Sequence, residues 1–162
     1  EVFLFADSLY NNITLYNPQI TRDMVINASK EIGVHKFIES LPEGYDYNVK
    51  ERGVMLSSGQ RQLIAFLRAY ISQPAILVLD EATSSVDSYS EEIIQRAIDK
   101  LTHGKTSIII AHRLATVKNA DRILVMDSGK IVEEGTHEEL LKVKGGNYSK
   151  LYEVQFADEI PI

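Results

Sequence analysis

Two adjacent carboxylates, Asp80 and Glu81, close the run Ile76-Leu77-Val78-Leu79 and lead into the small polar turn Ala82-Thr83-Ser84-Ser85-Val86-Asp87. Four successive apolar positions without alternation read as a strand covered on both faces, as in a parallel sheet flanked by helices. Ligands of such sheets bind just past the carboxyl ends of the strands, which is where this pair falls. A plain core strand followed by an acidic turn has the same local pattern. A second β-branched run, Thr106 to Ala111, ends in His112-Arg113. A histidine just past a buried strand and near a carboxylate pair stands where a proton or phosphate partner would sit; without such company it would be structural.

A third group is Leu56-Ser57-Ser58-Gly59-Gln60. Ser57 and Gln60 have the spacing of a capping box, and helix formers follow from Gln62 to Gln73 until Pro74. The first turn of that helix offers free backbone N–H groups, a glycine permitting close approach, two hydroxyls and the positive end of the dipole. These are the parts of an anion site, and equally of a well-capped helix.

The elements that must position these groups follow in order. Val2 to Phe5 is extended and apolar, and Asp7-Ser8 caps a short helix through Ile13, ended by a loop at Asn17-Pro18. Thr21 caps a helix to about Ile32 with Gly33 as its stop, and a short helix runs through Leu41 to Pro42-Glu43-Gly44. Met24, Ala28 and Ile32 share one face of the longer helix and read as a core stripe rather than a cofactor site. Ser88 with Glu91 opens a helix to about Leu101. Arg122 to Met126, the turn Asp127-Ser128-Gly129 and Lys130 to Glu133 make a hairpin. Thr136 with Glu139 opens a helix through about Lys142, Gly145-Gly146 breaks it, Tyr148 to Phe156 is amphipathic, and Ala157 to Ile162 reads as a loose tail.

Composition narrows the classes. The chain has 162 residues, 44% hydrophobic, enough for a core; 17 basic against 23 acidic residues give a net charge of −6 with no Lys/Arg block, so no nucleic-acid partner is expected. There is no cysteine, which excludes disulfides and thiolate metal sites. No apolar run reaches the roughly 20 residues of a membrane span. The start at Glu1, without methionine, reads as a cut inside a longer protein, with the piece itself soluble. Gly104-Lys105-Thr106 looks like the end of a phosphate-binding loop, but the glycine required five residues earlier is Asp99 and the triplet precedes a strand instead of following one. No other Gly-x-x-x-x-Gly-Lys-Ser/Thr occurs.

In their order and spacing, these pieces resemble the second half of the ATPase domain of ABC transporters. Leu56 to Gln60 is similar to the family's signature motif, Ile76 to Glu81 to its Walker B strand, Ser85-Val86-Asp87 to its D-loop and His112 to its switch histidine. Glu1 to Phe5 resembles the segment after the Q-loop of exporters of the lipid and multidrug type, and Glu51-Arg52-Gly53 the exporter loop before the signature. Ser58 stands where the family commonly has glycine, and Leu63 and Phe66 depart from its commoner basic and aliphatic residues. The likeness implies an α/β fold: a RecA-like P-loop NTPase core lacking its Walker A strand, with the ABC helical subdomain. Residues 1–74 would be the helical subdomain ending in the signature helix, and 75–162 the later part of the core. The Walker A loop, the adenine-stacking aromatic and the Q-loop glutamine would all precede Glu1.

By the same resemblance Asp80 helps hold Mg²⁺, Glu81 polarises the attacking water as general base, and His112 contacts the γ-phosphate of ATP. Ser57, Ser58, Gly59 and Gln60 face the γ-phosphate held by a second ATPase domain in a head-to-tail dimer, and Asp87 acts across that interface. The parent would be an exporter whose ATPase domain works with a transmembrane domain at the cytoplasmic face of the inner membrane. A soluble ABC ATPase acting on nucleic acid or ribosomes, and a non-catalytic interaction module, are the alternatives.

Overall fold

The computed structural model describes residues 2–80, 88–111 and 117–156. The chain packs as two compact units, Glu1–Ile108 and Ile109–Ile162.

The first unit is built around one helix. Short helices α1 (Leu9–Thr14), α2 (Arg22–Glu31) and α3 (His35–Glu39) precede 3-10 turns at Gly44–Asp46 and Glu51–Gly53, and then comes α4 (Ser58–Ser72). Serine or threonine begins three of these helices: Ser8 Oγ accepts from Asn11 N, Thr21 Oγ1 from Met24 N, and Ser57 Oγ from Gln60 N. α4 lies against α1, α2 and α5 (Ser88–Thr102) and buries Gln62, Leu63, Ile64, Phe66 and Leu67. The two residues that depart from the family's commoner pattern, Leu63 and Phe66, are therefore core side chains. On α5 the buried set Ile94, Ala97, Ile98 and Leu101 follows the helical period. The side chains of Ser88 and Glu91, the expected capping pair, lie outside the described residues.

The N-terminal segment is held to this bundle by polar groups. Asn12, fully buried, accepts from Phe5 N at 2.8 Å and donates to the carbonyls of Phe5 and Ser8, each at 3.0 Å. Arg68, on α4, donates to Asn12 O (2.5 Å), Phe3 O (2.9 Å) and Asn12 Oδ1 (3.0 Å). Tyr45 OH is shared between Ser29 Oγ (2.5 Å) and His35 Nδ1 (2.8 Å), and Arg22 forms a bidentate pair with Asp46 (2.5 and 3.0 Å).

Two expectations are corrected. The stripe of α2 is Val25, Ala28, Ser29 and Ile32, whereas Met24 is 48% exposed. The apolar residues at 24 and 25 lie 100° apart on the helix, so either could have opened the stripe; packing selected the second. Strand β1 (Ile76–Asp80) is not covered on both faces: Leu77 is buried while Ile76 and Val78 are exposed. β2 (Thr106–Ile110), its hydrogen-bonded neighbour in a two-stranded sheet, likewise exposes Ile108 and Ile110. Gly104 leads into β2 with φ +70°, in keeping with a turn before a strand.

The second unit holds the hairpin of β3 (Ile123–Asp127) and β4 (Lys130–Gly135), antiparallel, with Asp127 opposite Lys130 and a bulge between Val125 and Met126. Ser128 (φ +48°) and Gly129 (φ +76°) supply the paired left-handed conformations of a two-residue turn matched to strand twist. Helix α6 (His137–Leu141) starts at the Thr136–Glu139 capping box, and α7 (Asn147–Phe156) follows Gly145-Gly146. Ile123, Leu140 and Tyr148 form the core of this unit. Glu133 caps α7 by accepting from Asn147 N (2.5 Å) and Tyr148 N (3.0 Å), and Tyr148 OH meets His137 Nδ1 at 2.8 Å. The expected loose tail, Ala157 to Ile162, lies outside the described residues. Among those described, no helix is long and apolar enough to cross a membrane.

Two outcomes are expected. The uncovered isoleucines and valine of β1 and β2 present an apolar surface flanked by strand edges, a template for other chains. Light scattering of the chain alone should report self-association, and a monodisperse monomer would contradict this. Acid should destabilise the fold. Arg22 holds the Asp46 carboxyl below its ordinary range, and the Thr136 backbone N–H does the same for Glu139. A lowered folded pKa stabilises above the unfolded value of about 4 and is lost as pH falls through the folded one. The urea midpoint should therefore fall below about pH 4, less steeply in Asp46→Asn.

Candidate functional site

The amino end of α4 is set by a reciprocal cap. Ser57 Oγ accepts from Gln60 N at 3.2 Å, and Gln60 Oε1 accepts from Ser57 N at 2.9 Å. The N–H groups of Ser58 and Gly59 are left without an acceptor among the described residues, at the positive end of a 15-residue helix. Ser57 and Ser58 are exposed and Gly59 is buried, so the turn offers hydroxyls and N–H donors outward from a packed base. A phosphate oxygen fits such a turn.

The loop before the helix is tightly folded. Lys50, Arg52 and Gly53 all have positive φ (59°, 53° and 66°), and Leu56 N donates to Gly53 O at 2.9 Å. A Cβ on Gly53 would stand 2.7 Å from Leu4 Cδ1, so glycine is required both for its conformation and for that approach. The Arg61 guanidinium donates to Leu56 O at 2.8 Å and the Leu56 side chain is buried, which anchors the chain one residue before the cap. Arg61, Gly53 and the Arg68–Asn12 clamp are supporting residues that spacing alone did not single out. For Gly53 the signal was the likeness of Glu51-Arg52-Gly53 to the exporter loop before the signature, and for the clamp it was an asparagine in the apolar face of a short helix, at Asn12 between Leu9 and Ile13.

Asp80 ends β1, is exposed, and has no hydrogen bond or ion pair among the described residues. No cluster of three or more metal-ligating side chains occurs among those residues. A single exposed carboxylate suits Mg²⁺, which keeps several waters and takes other ligands from substrate phosphates. Glu81, Asp87 and His112 lie outside the described residues. Of the expected site, the structure thus brings together Ser57, Ser58, Gly59 and Gln60 on one helical turn and puts Asp80 at a strand end.

The sequence profile of the ABC transporter family matches residues 2–84. The chain is 50% identical over 157 residues to the ATP-dependent lipid A-core flippase of Shewanella oneidensis, covering 96% of this chain and 26% of that protein. It is 54% identical over 152 residues to the alpha-hemolysin translocation ATP-binding protein HlyB of Escherichia coli O6:H1, covering 94% of this chain and 22% of that protein. A bacterial Atm1-family ABC exporter solved with ATP bound superposes with a TM-score of 0.83 at 37% identity, over 98% of this chain and 28% of that one. The chain belongs to the ABC transporter family, and its mixed helix and strand fold is that of part of an exporter's nucleotide-binding domain. It spans about a quarter of the length of the curated relatives it matches.

Ser57→Ala should cost about 1 kcal/mol in chemical denaturation, and Ser57→Asp, which keeps an acceptor at the cap, much less. Gly53→Ala, which must accept positive φ and push Leu4, should cost about 1–3 kcal/mol.

Proposed function

We propose that these residues are the signature-bearing part of the ATP-binding domain of an ABC exporter, and that the whole protein hydrolyses ATP to drive export across a membrane. The observation that carries this reading is the amino end of α4, where Ser57 and Gln60 cap each other and the N–H groups of Ser58 and Gly59 have no acceptor among the described residues. The exporter relatives support it.

Phosphoryl transfer asks a protein mainly for positioning and charge stabilisation. Ser57, Ser58, Gly59 and Gln60 bind the γ-phosphate of an ATP held by a second ATPase domain in a head-to-tail dimer. The helix dipole and the free N–H groups favour the charge that builds on the γ-oxygens as the bond to the leaving group lengthens. Asp80 would hold Mg²⁺, which would supply neutralisation of phosphate charge there. Glu81 accepts the proton of the attacking water, His112 donates to the γ-phosphate, and Asp87 acts across the dimer interface. Ser58 supplies the hydroxyl where the family commonly has a bare glycine. The partner transmembrane domain handles the cargo, and the ATPase domain works at the cytoplasmic face of the inner membrane.

In the intact protein, Glu81→Gln should lower ATP turnover by about 10²–10⁴-fold and leave ATP bound, read by phosphate release and nucleotide retention. Turnover within a few-fold of the parent would remove Glu81 from the reaction. The 162-residue chain alone, which contains no Gly-x-x-x-x-Gly-Lys-Ser/Thr, should show no micromolar affinity for Mg-ATP by titration.

A further inference from the structure

The side-chain hydrogen bonds of Arg68 all leave the helix that carries it. Nε and Nη2 donate to Asn12 O and Asn12 Oδ1, 56 positions earlier in the chain, and Nη1 donates to Phe3 O, 65 positions earlier. Burial opposes the charge of this group. An apolar side chain would fill the same space without that cost, so burial alone does not account for an arginine here. What an apolar group lacks is direction. A planar fork of fixed donors dictates where its acceptors lie, and so fixes the N-terminal segment along α4.

From Phe3 a line of contacts runs back to the amino end of α4. Leu4, next to the gripped carbonyl, is fully buried against Gly53, where a Cβ would stand 2.7 Å from Leu4 Cδ1 and 3.2 Å from Arg61 Cδ. Gly53 is thus held between a side chain of the N-terminal segment and one of α4. Gly53 O accepts from Leu56 N at 2.9 Å, Arg61 donates to Leu56 O at 2.8 Å, and the capping Ser57 comes next. The loop that this line crosses has positive φ at Lys50, Arg52 and Gly53, a conformation that persists only where the surroundings hold it.

We propose that Arg68 is a positioning residue for ATP hydrolysis: through Phe3, Leu4 and Gly53 it fixes the place of the Ser57 to Gln60 turn against the γ-phosphate. The proposal rests on the reading of that turn given under the proposed function. Arg68 itself touches no phosphate, since it lies about 15 Å along the helix from Ser58. It acts by placement, and a misplacement of about 1 Å at a reacting group costs on the order of 10²-fold in rate. In that reading ATP is held mainly by the second ATPase domain, so the loss falls on turnover and not on ATP affinity.

The test uses the intact protein and three variants. Arg68→Lys keeps the charge and removes the fork; Leu4→Val leaves Arg68 in place and trims the side chain that meets Gly53; Ile32→Val trims the buried end of α2, away from this line. Native-state hydrogen exchange reads the amides of Leu56, Ser57, Gln60 and Arg61, each of which has an acceptor in the loop or the cap. Arg68→Lys and Leu4→Val should speed exchange there about threefold or more, and Ile32→Val should not. Per mole of folded protein, Arg68→Lys should lower ATP turnover about tenfold with KM for ATP within about twofold. Should Arg68→Lys fail to fold, Leu4→Val decides by the same exchange readout. Unchanged exchange at these four amides overturns the proposal. So does faster exchange spread evenly over the first unit, which would reduce Arg68 to general stability, and so does parental turnover in Arg68→Lys. Gly59→Asp, which sets a carboxylate in the turn itself, separates the two readings. Parental turnover in Gly59→Asp removes the turn from ATP chemistry, whereas lost turnover there beside parental turnover in Arg68→Lys overturns the positioning role alone.

Discussion

The arrangement of the first unit depends on a single guanidinium. Arg68 is half-buried, and desolvation pushes its pKa down, yet its donors are met by Asn12 O, Phe3 O and Asn12 Oδ1. A planar fork of fixed donors can do this; an ammonium on a flexible stem could not reach the same three acceptors at once. Asn12 in turn uses its amide on Phe5 and Ser8. The extended N-terminal segment is therefore laid along α4, Leu4 is buried beside Gly53, and the tight loop that ends in the Ser57 cap has a wall to rest on. The position of the capped turn at the start of α4 follows from a contact nearly three helical turns away along the helix.

The two units are stabilised by different balances. In the first, apolar side chains from α1, α2, α4 and α5 meet in one core, and the polar clamp decides the placement of the chain rather than most of the burial. In the second, the core among the described residues is three buried side chains, Ile123, Leu140 and Tyr148, and order comes from a bulged hairpin, a reciprocal helix cap and a carboxylate across the amino end of α7. A small core leaves more to such polar contacts, each worth about 1 kcal/mol, so this unit is sensitive to losing any one of them.

What could be read from the sequence was what depends on neighbours within a few residues. The boxes at Ser57/Gln60 and Thr136/Glu139, the Thr21 cap and the Ser128-Gly129 turn all formed, because each is decided inside one turn of chain. What failed depends on distant packing. The run Ile76 to Leu79 carries no information about how many layers cover it, and half of it is exposed. Met24 and Val25 are equivalent by periodicity and differ only in what lies beneath. The Arg68–Asn12 clamp joins residues 56 apart, a pairing invisible to spacing. Of the expected site, the capped turn from Ser57 to Gln60 was legible as local geometry, whereas Glu81 and His112, placed by strand ends, and Asp87, placed by the family likeness, lie outside the described residues.

Two of the three Arg68 contacts go to main-chain carbonyls, those of Phe3 and Asn12. A grip on the backbone is blind to side-chain identity. Phe3 and Phe5, stacked edge to face and largely exposed, can therefore be exchanged for other residues without loosening the segment that carries them. Attachment is written in the main chain of these residues, so their outward side chains are free to diversify over a fixed anchorage.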